Sequence, residues 1–169
     1  EKARANIKIN NLHRSKENGE LVGSIVSENS SLRPINCPKE LIPSLIDELP
    51  ILFVIAALTK GISKFYQINE ATKKESNRIM EMKKILIQAG IKCKSTKDNM
   101  IIYGNSNIVK KNKLILVDTK GDHRICMSAA ILALATGIKI KIKNFETVNT
   151  SFPNFIKLVK NLGGKFEIK

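Results

Sequence analysis

The sequence predicts an α/β fold made by repeating one strand–helix–strand–helix–strand–strand unit, βαβαββ. Three observations carry this expectation. From Leu32 onward, apolar residues switch between the two-residue period of strands and the 3.6-residue period of helices. The helical stretches stop at glycines, and "AALTKGI" and "LALATGI" mark the same helix end twice. The spacing also recurs: Asp47 lies 14 residues before Gly61 and Asp122 lies 15 before Gly137, while Gly61 to Gly90 is 29 residues and Gly137 to Gly163 is 26. A period of that size is the mark of stacked copies of one supersecondary unit.

Residues 1–31 read as strands left from a preceding unit, with Ala5, Ile7 and Ile9 alternating and Gly19 in the turn. Residues 32–104 read as one complete unit. It opens with a strand over Leu32–Cys37, followed by a helix from about Asp47 to Leu58 that ends before Gly61. Pro50 is tolerated because it falls in the first turn, where its missing N–H is not needed. A strand over Ile62–Ile68 and a helix over about Lys74–Ala89 follow; Ile79, Met82, Ile85, Leu86 and Ala89 share the core face of that helix, and Gly90 stops it. Two short strands, Ile91–Ser95 and Met100–Tyr103, form a hairpin around Lys97-Asp98-Asn99. Residues 105–169 read as a second, incomplete unit. Its elements are a strand Leu114–Val117, a helix Asp122–Ala135, a strand Ile138–Lys143 alternating apolar and basic, a helix Phe152–Leu162 and a beginning strand Phe166–Ile168.

With 169 residues, 43% of them hydrophobic, the chain can bury one sizeable core or two small ones. A start at Glu1 with a strand pattern almost at once predicts a piece of a longer protein. No apolar run approaches the ~18–20 residues that cross a bilayer, and Ile51–Leu58 reads as a buried helix. Cys37, Cys93 and Cys126 have neither pairing nor metal-type spacing and read as reduced packing residues of a cytosolic protein. With only His13 and His123, no histidine-based metal site is expected.

The net charge of +14 raises nucleic-acid binding, but the distribution argues against it. Of 29 basic residues only five are arginines (4, 14, 33, 78 and 124), whereas phosphate and base readers favour the bidentate guanidinium. The lysines are spread over the whole chain, including alternate strand positions Lys139, Lys141 and Lys143. A basic α/β module that binds RNA would also need aromatic residues on its basic face, and aromatics are only 5% with no Trp.

The charges at the helix starts are more informative. One helix opens with Ile46-Asp47-Glu48, the next with Lys74-Glu75 and Arg78 a turn later, and a third with Gly121-Asp122-His123-Arg124. The acidic residues can be read as N-caps, Asp122 most directly. Lys74 and Arg124 in first turns oppose the helix macrodipole by about 0.3–1 kcal/mol each, unless an anion is expected there. Cations at equivalent places in successive copies predict an anion site, and the carboxylates among them predict chemistry.

The stretches "SLIDELPILFVIAALTKG", "KKESNRIMEMKKILIQAG", "GDHRICMSAAILALATG" and "SFPNF" resemble, in order and spacing, the C-terminal part of the EPSP synthase family, the 3-phosphoshikimate 1-carboxyvinyltransferases. The resemblance covers nearly the whole chain and is closer to the branch with "IDE-P". It implies a two-domain enzyme of the enolpyruvyl transferase fold, an inside-out α/β barrel with three βαβαββ units per domain, of which this chain is part of the C-terminal domain. It implies transfer of the enolpyruvyl group of phosphoenolpyruvate to the 5-hydroxyl of shikimate 3-phosphate, with no metal and no organic cofactor. By the same resemblance Asp47 contacts the shikimate hydroxyls and accepts the proton of the 5-hydroxyl. Glu75 exchanges a proton with the methylene carbon of phosphoenolpyruvate. Lys74 binds the shikimate substrate, and Arg78 and Arg124 bind phosphoenolpyruvate. The expected setting is cytoplasmic, as a monomer when complete, with the missing N-terminal domain supplying half the cleft and the present chain inactive alone.

Four positions depart from the family pattern. Asn77 stands where Asp is usual, so any role in holding Arg78 falls to a neutral hydrogen bond. Thr72 stands where Arg is frequent, Thr150 where one branch has a phosphoenolpyruvate-binding Lys, and Glu70 where that branch has a substrate-contacting Asn. His123 is open to either a phosphate-orienting or a structural role. A sister transferase acting on a UDP-amino sugar shares the fold but lacks this pair of motifs. An inactive fragment of another enolpyruvyl transferase and the RNA-binding module are the alternatives to an enzyme fragment.

Overall fold

The computed structural model describes residues 3–105 and 114–167. The chain begins with an antiparallel hairpin, β1 (Asn6–Arg14) and β2 (Leu21–Glu28), turning through Gly19 and irregular between Asn10 and His13. Every residue of both strands is exposed, including Ile7, Ile9, Leu21 and Ile25. The apolar alternation therefore makes strands as expected, but neither face is covered among the described residues.

The expected strand at Leu32–Cys37 shrinks to a parallel bridge between Asn36 and Lys64. Two backbone bonds make it, Lys64 N to Ile35 O (2.7 Å) and Cys37 N to Lys64 O (3.0 Å). Pro34 and Pro38 bracket this segment and have no N–H to extend a ladder. Next come a 3₁₀ turn Lys39–Leu41, α1 (Ile42–Leu45), a 3₁₀ turn Ile46–Glu48 and α2 (Leu49–Leu58), which holds Pro50 in its first turn. Joined, Lys39–Leu58 is a 20-residue helical run that holds an 18-residue window of mean hydropathy 2.0, by length and composition alone enough to cross a membrane, which corrects the sequence expectation. Part of its apolar surface has another destination. Leu49, Phe53, Val54, Ala56 and Ala57 are buried in the protein core, and Asp47 and Glu48 interrupt the run with ion-paired carboxylates.

The next elements are β3 (Gly61–Tyr66), a 3₁₀ turn Asn69–Thr72, α3 (Arg78–Gln88), β4 (Lys92–Ser95) and β5 (Asn99–Gly104). The strands form one antiparallel sheet in the order β3-β5-β4. A Cβ on Gly104 would lie 2.0 Å from the Thr59 carbonyl oxygen and 2.1 Å from that of Ala56, so the end of β5 can abut the end of α2 only without a side chain. Helix α3 starts at Arg78, not at Lys74 as expected. Asn77 Oδ1 accepts the N–H of Met80 (3.1 Å), so Asn77 is the N-cap and Lys73–Ser76 form a bent loop before it. Lys74 thus bears no first-turn dipole cost. At the other end Gly90, at φ +84°, closes a Schellman motif: Ile91 N bonds Leu86 O (2.9 Å) and Gly90 N bonds Ile87 O (3.0 Å).

The second unit has β6 (Ile115–Asp118), α4 (His123–Thr136) and β7 (Ile140–Lys143). β6 and β7 pair in parallel, with Ile115 opposite Ile140 and Asp118 opposite Lys143. This is the same crossing over a helix that the Asn36–Lys64 bridge makes over α2. A 3₁₀ helix Phe145–Thr150 leads to α5 (Phe155–Asn161), shorter than the expected Phe152–Leu162. Pro153 disfavours helical geometry at Phe152 and delays the start. Of the strand expected at Phe166–Ile168, Phe166 and Glu167 are irregular and Ile168 lies outside the described residues.

One core joins the two units, with Leu49, Phe53, Phe65, Ile79, Met82, Leu86, Met100, Ile115, Ile125 and Leu132 inside it. A smaller one gathers Cys126, Ala130, Val148, Phe155 and Val159. The Gln88 side chain fastens α3 to β6, accepting from Leu116 N (3.3 Å) and donating to Leu116 O (3.2 Å). Cys37 and Cys126 are buried and Cys93 is half-buried, and burial pushes the Cys126 thiol up to about 12.

Candidate active site

The starts of α2, α3 and α4 converge, and their side chains form one charged network. Arg78 is its hub. Its side chain is 1% exposed, and it meets a different carboxylate at each nitrogen. Nε donates to Asp122 Oδ2 (2.8 Å), Nη1 to Asp47 Oδ1 (2.7 Å) and Nη2 to Glu75 Oε2, with a longer contact from Nη2 to Asp122 Oδ1 (3.5 Å). Lys74 Nζ reaches the same Asp47 Oδ1 at 3.1 Å. Arg124 Nη1 donates to Glu48 Oε1 (2.5 Å) and to the Asp47 carbonyl oxygen (3.0 Å). All five residues singled out in the sequence, Asp47, Lys74, Glu75, Arg78 and Arg124, are therefore brought together.

Local structure explains each placement. Asp47 sits in the 3₁₀ turn that leads into α2, and Lys74 and Glu75 in the loop before α3. Arg78 is the first residue of α3 and Arg124 the second of α4. Helix α4 is capped by Asp122, whose carboxylate accepts from Arg124 N (3.0 Å) and Ile125 N (3.4 Å).

The electrostatics follow from burial and pairing. Burial works to raise the Asp122 carboxyl, but its hydrogen bonds to Arg78 and Ser76 outweigh this and hold it below its ordinary value of 3.8. Burial also opposes the charge of Arg78, and Asp122, Asp47 and Glu75 overcome it, so the guanidinium is held more firmly charged. Burial is the largest single influence on Asp47 and works to raise it, but the hydrogen bonds and charges of Lys74 and Arg78 together outweigh it, so the carboxyl is held below its ordinary value and ionised. The side chains of Asp47 and Glu75 remain 44% and 50% exposed, on either side of the buried guanidinium. Two accessible carboxylates so separated can serve two different proton transfers. Among the described residues no group of three or more His, Cys, Asp or Glu side chains is placed to hold a metal ion.

Sequence reasoning missed three members. Ser76 donates to Asp122 Oδ2 (2.9 Å), Glu48 holds Arg124, and Asp122 does more than cap a helix. A capping role alone accounts for an Asp before a helix, so the local pattern assigned Asp122 no second role even though it lies in a stretch that resembles the family. Asn77 is bonded to α3 rather than to Arg78, so the missing charge at this position does not loosen the hub. Thr72 and Thr150 close their own 3₁₀ turns, to Asn69 O (2.6 Å) and Thr147 O (2.9 Å), and Glu70 pairs with Lys73 on the surface. His123 is half-buried at the first position of α4.

The fold is that of the enolpyruvyl transferases. The chain superposes on the enolpyruvyl transferase NikO from Streptomyces tendae with a TM-score of 0.59 at 14% identity, over 96% of this chain and 34% of that one. Closer matches narrow the class. EPSP synthase from Acinetobacter baumannii superposes with a TM-score of 0.90 at 33% identity, over 99% of this chain and 38% of that one. The 3-phosphoshikimate 1-carboxyvinyltransferase of Paramagnetospirillum magneticum is 35% identical over 153 residues, 90% of this chain and 34% of that protein. The family model for EPSP synthase (3-phosphoshikimate 1-carboxyvinyltransferase) matches residues 4–158, and the chain belongs to this family. It spans about a third of the length of the curated relatives it matches.

Proposed function

We propose that the complete protein transfers the enolpyruvyl group of phosphoenolpyruvate to the 5-hydroxyl of shikimate 3-phosphate and releases phosphate. In this reading the present chain is part of its C-terminal domain, with residues 1–31 left from a preceding unit, 32–104 forming one unit and 105–169 a second, incomplete one. The observation that carries the reading is the convergence of Asp47, Lys74, Glu75, Arg78 and Arg124 from three helix starts in a chain of this family.

The chemistry assigns each a task. Adding an alcohol to the enol double bond requires a proton at the methylene carbon and loss of the hydroxyl proton as oxygen attacks the adjacent carbon. Glu75 supplies the first and Asp47 accepts the second. Expulsion of phosphate and of a proton from the new methyl group then restores the enol ether. Arg78 and Arg124 hold the phosphoenolpyruvate anion, and Lys74 with Asp47 holds the shikimate substrate. The remainder of the protein completes the cleft. The protein works in the cytoplasm as a monomer, without metal, organic cofactor, nucleic acid or membrane.

The test is phosphate release by the complete protein with both substrates present. Asp47→Asn and Glu75→Gln are each expected to lower kcat by about 10²–10⁴-fold, the usual worth of a positioned acid or base. Near-normal turnover in both variants would sink the assignment.

A further inference from the structure

We propose that Asp122 is a positioning residue for the transfer. Its carboxylate fixes the Arg78 guanidinium and the start of α4, which carries Arg124, in one frame, so that both arginines address the same anion. The identity of that anion, phosphoenolpyruvate, rests on the function proposed above.

Asp122 is 0% exposed and its two oxygens are fully engaged. Oδ2 accepts from Arg78 Nε (2.8 Å) and Ser76 Oγ (2.9 Å). Oδ1 accepts from Arg124 N (3.0 Å), Ile125 N (3.4 Å) and Arg78 Nη2 (3.5 Å). Capping does not require this residue, since Asn or Ser at an N-cap serves about as well as Asp. Burying a carboxylate costs several kcal/mol and is tolerated only against a matched cation. The buried charge therefore has another task, and its geometry shows which.

A guanidinium gripped at Nε has its orientation set. Here the grip leaves Nη1 and Nη2 to face Asp47 and Glu75, the two half-exposed carboxylates. The same carboxylate holds Ser76, the residue after Glu75, and the amide of Arg124. Both Asp122 oxygens are taken up by protein donors, and a carboxylate would repel the anion, so it acts through these three neighbours.

The experiment uses the complete protein, varying each substrate in turn, on wild type, Asp122→Asn and Ser76→Ala, with thermal unfolding alongside. Asn keeps the cap but loses the charge, and its amide nitrogen cannot accept from Arg78 Nε. The expected result for Asp122→Asn is a KM for phosphoenolpyruvate raised about 10- to 100-fold, the scale of a misplaced binding group, with the KM for shikimate 3-phosphate within about threefold. An unchanged KM for phosphoenolpyruvate, or an equal rise in both, overturns the proposal. Should Asp122→Asn fail to fold, Ser76→Ala decides: a rise confined to phosphoenolpyruvate supports the proposal, and unchanged or equally raised values overturn it. Wild-type protein that turns over neither substrate overturns the functional reading and this inference together, whereas normal wild type with a kinetically silent Asp122→Asn overturns the inference alone.

Discussion

Arg78 is the largest fully buried side chain among the described residues, and it is charged. A buried ion pair gives little net stability over an apolar pair, but breaking it by removing one partner is costly, about 3–5 kcal/mol, because the other charge is left uncompensated. Arg78→Met in the complete protein is therefore expected to lose stability on that scale in urea unfolding at pH 7. The pH dependence gives the sharper sign. In wild type the Asp122 carboxyl sits below its ordinary 3.8, so its stabilisation is fully present above about pH 4 and is lost as pH falls through the lower folded value. In Arg78→Met the lone buried carboxylate favours its protonated form, so the deficit should narrow on acidification from pH 7 to 5. A deficit that stays constant or widens over this range would show that Asp122 is not the group left unpaired. At this scale the sequence was legible where cations defied the helix macrodipole, as at Arg124, and illegible where a common local role already explained the residue, as at Asp122.

At the scale of elements, Asn77 shows how one residue decides where a helix begins. In a first turn Lys74 would be disfavoured and Glu75 favoured by similar small amounts, so composition does not place the start, but a side chain that accepts from Met80 N does. Asn77→Ala is expected to cost about 1 kcal/mol of stability, whereas Asn77→Asp should be nearly neutral, since both side chains cap and neither is needed by Arg78. Equilibrium unfolding of the two variants checks this; equal losses in both would mean the cap is not what matters. The glycine stops at Gly90 and Gly137 were readable because the chain takes positive φ there, +84° and +68°. The Leu32–Cys37 strand and the early start of the last helix were misread because prolines at 34, 38 and 153 act on their neighbours, by withholding N–H groups and barring helical geometry before them.

For the whole molecule, the distribution of charge matters more than its sum. The chain carries +14, yet the cluster at the helix starts sets three cations (Lys74, Arg78, Arg124) against four carboxylates (Asp47, Glu48, Glu75, Asp122). The basic surface can draw small anions towards the protein, but within this chain each site cation already has a carboxylate partner. A substrate anion must therefore displace one of these carboxylates or add to what the rest of the protein supplies. Glu48 is the one with least to hold it: its side chain is 52% exposed and its one described ion pair is with Arg124. An exposed pair of this kind is worth about 0–1 kcal/mol, so releasing Arg124 from it can tighten anion binding by no more than about fivefold. Under the proposed function, Glu48→Gln in the complete protein is accordingly expected to lower the KM for phosphoenolpyruvate about two- to fivefold, with the effect fading at high salt as the pair is screened. A KM that rises instead would mean that Glu48 holds Arg124 in its working position, as Asp122 holds Arg78, and does not compete with the substrate for it.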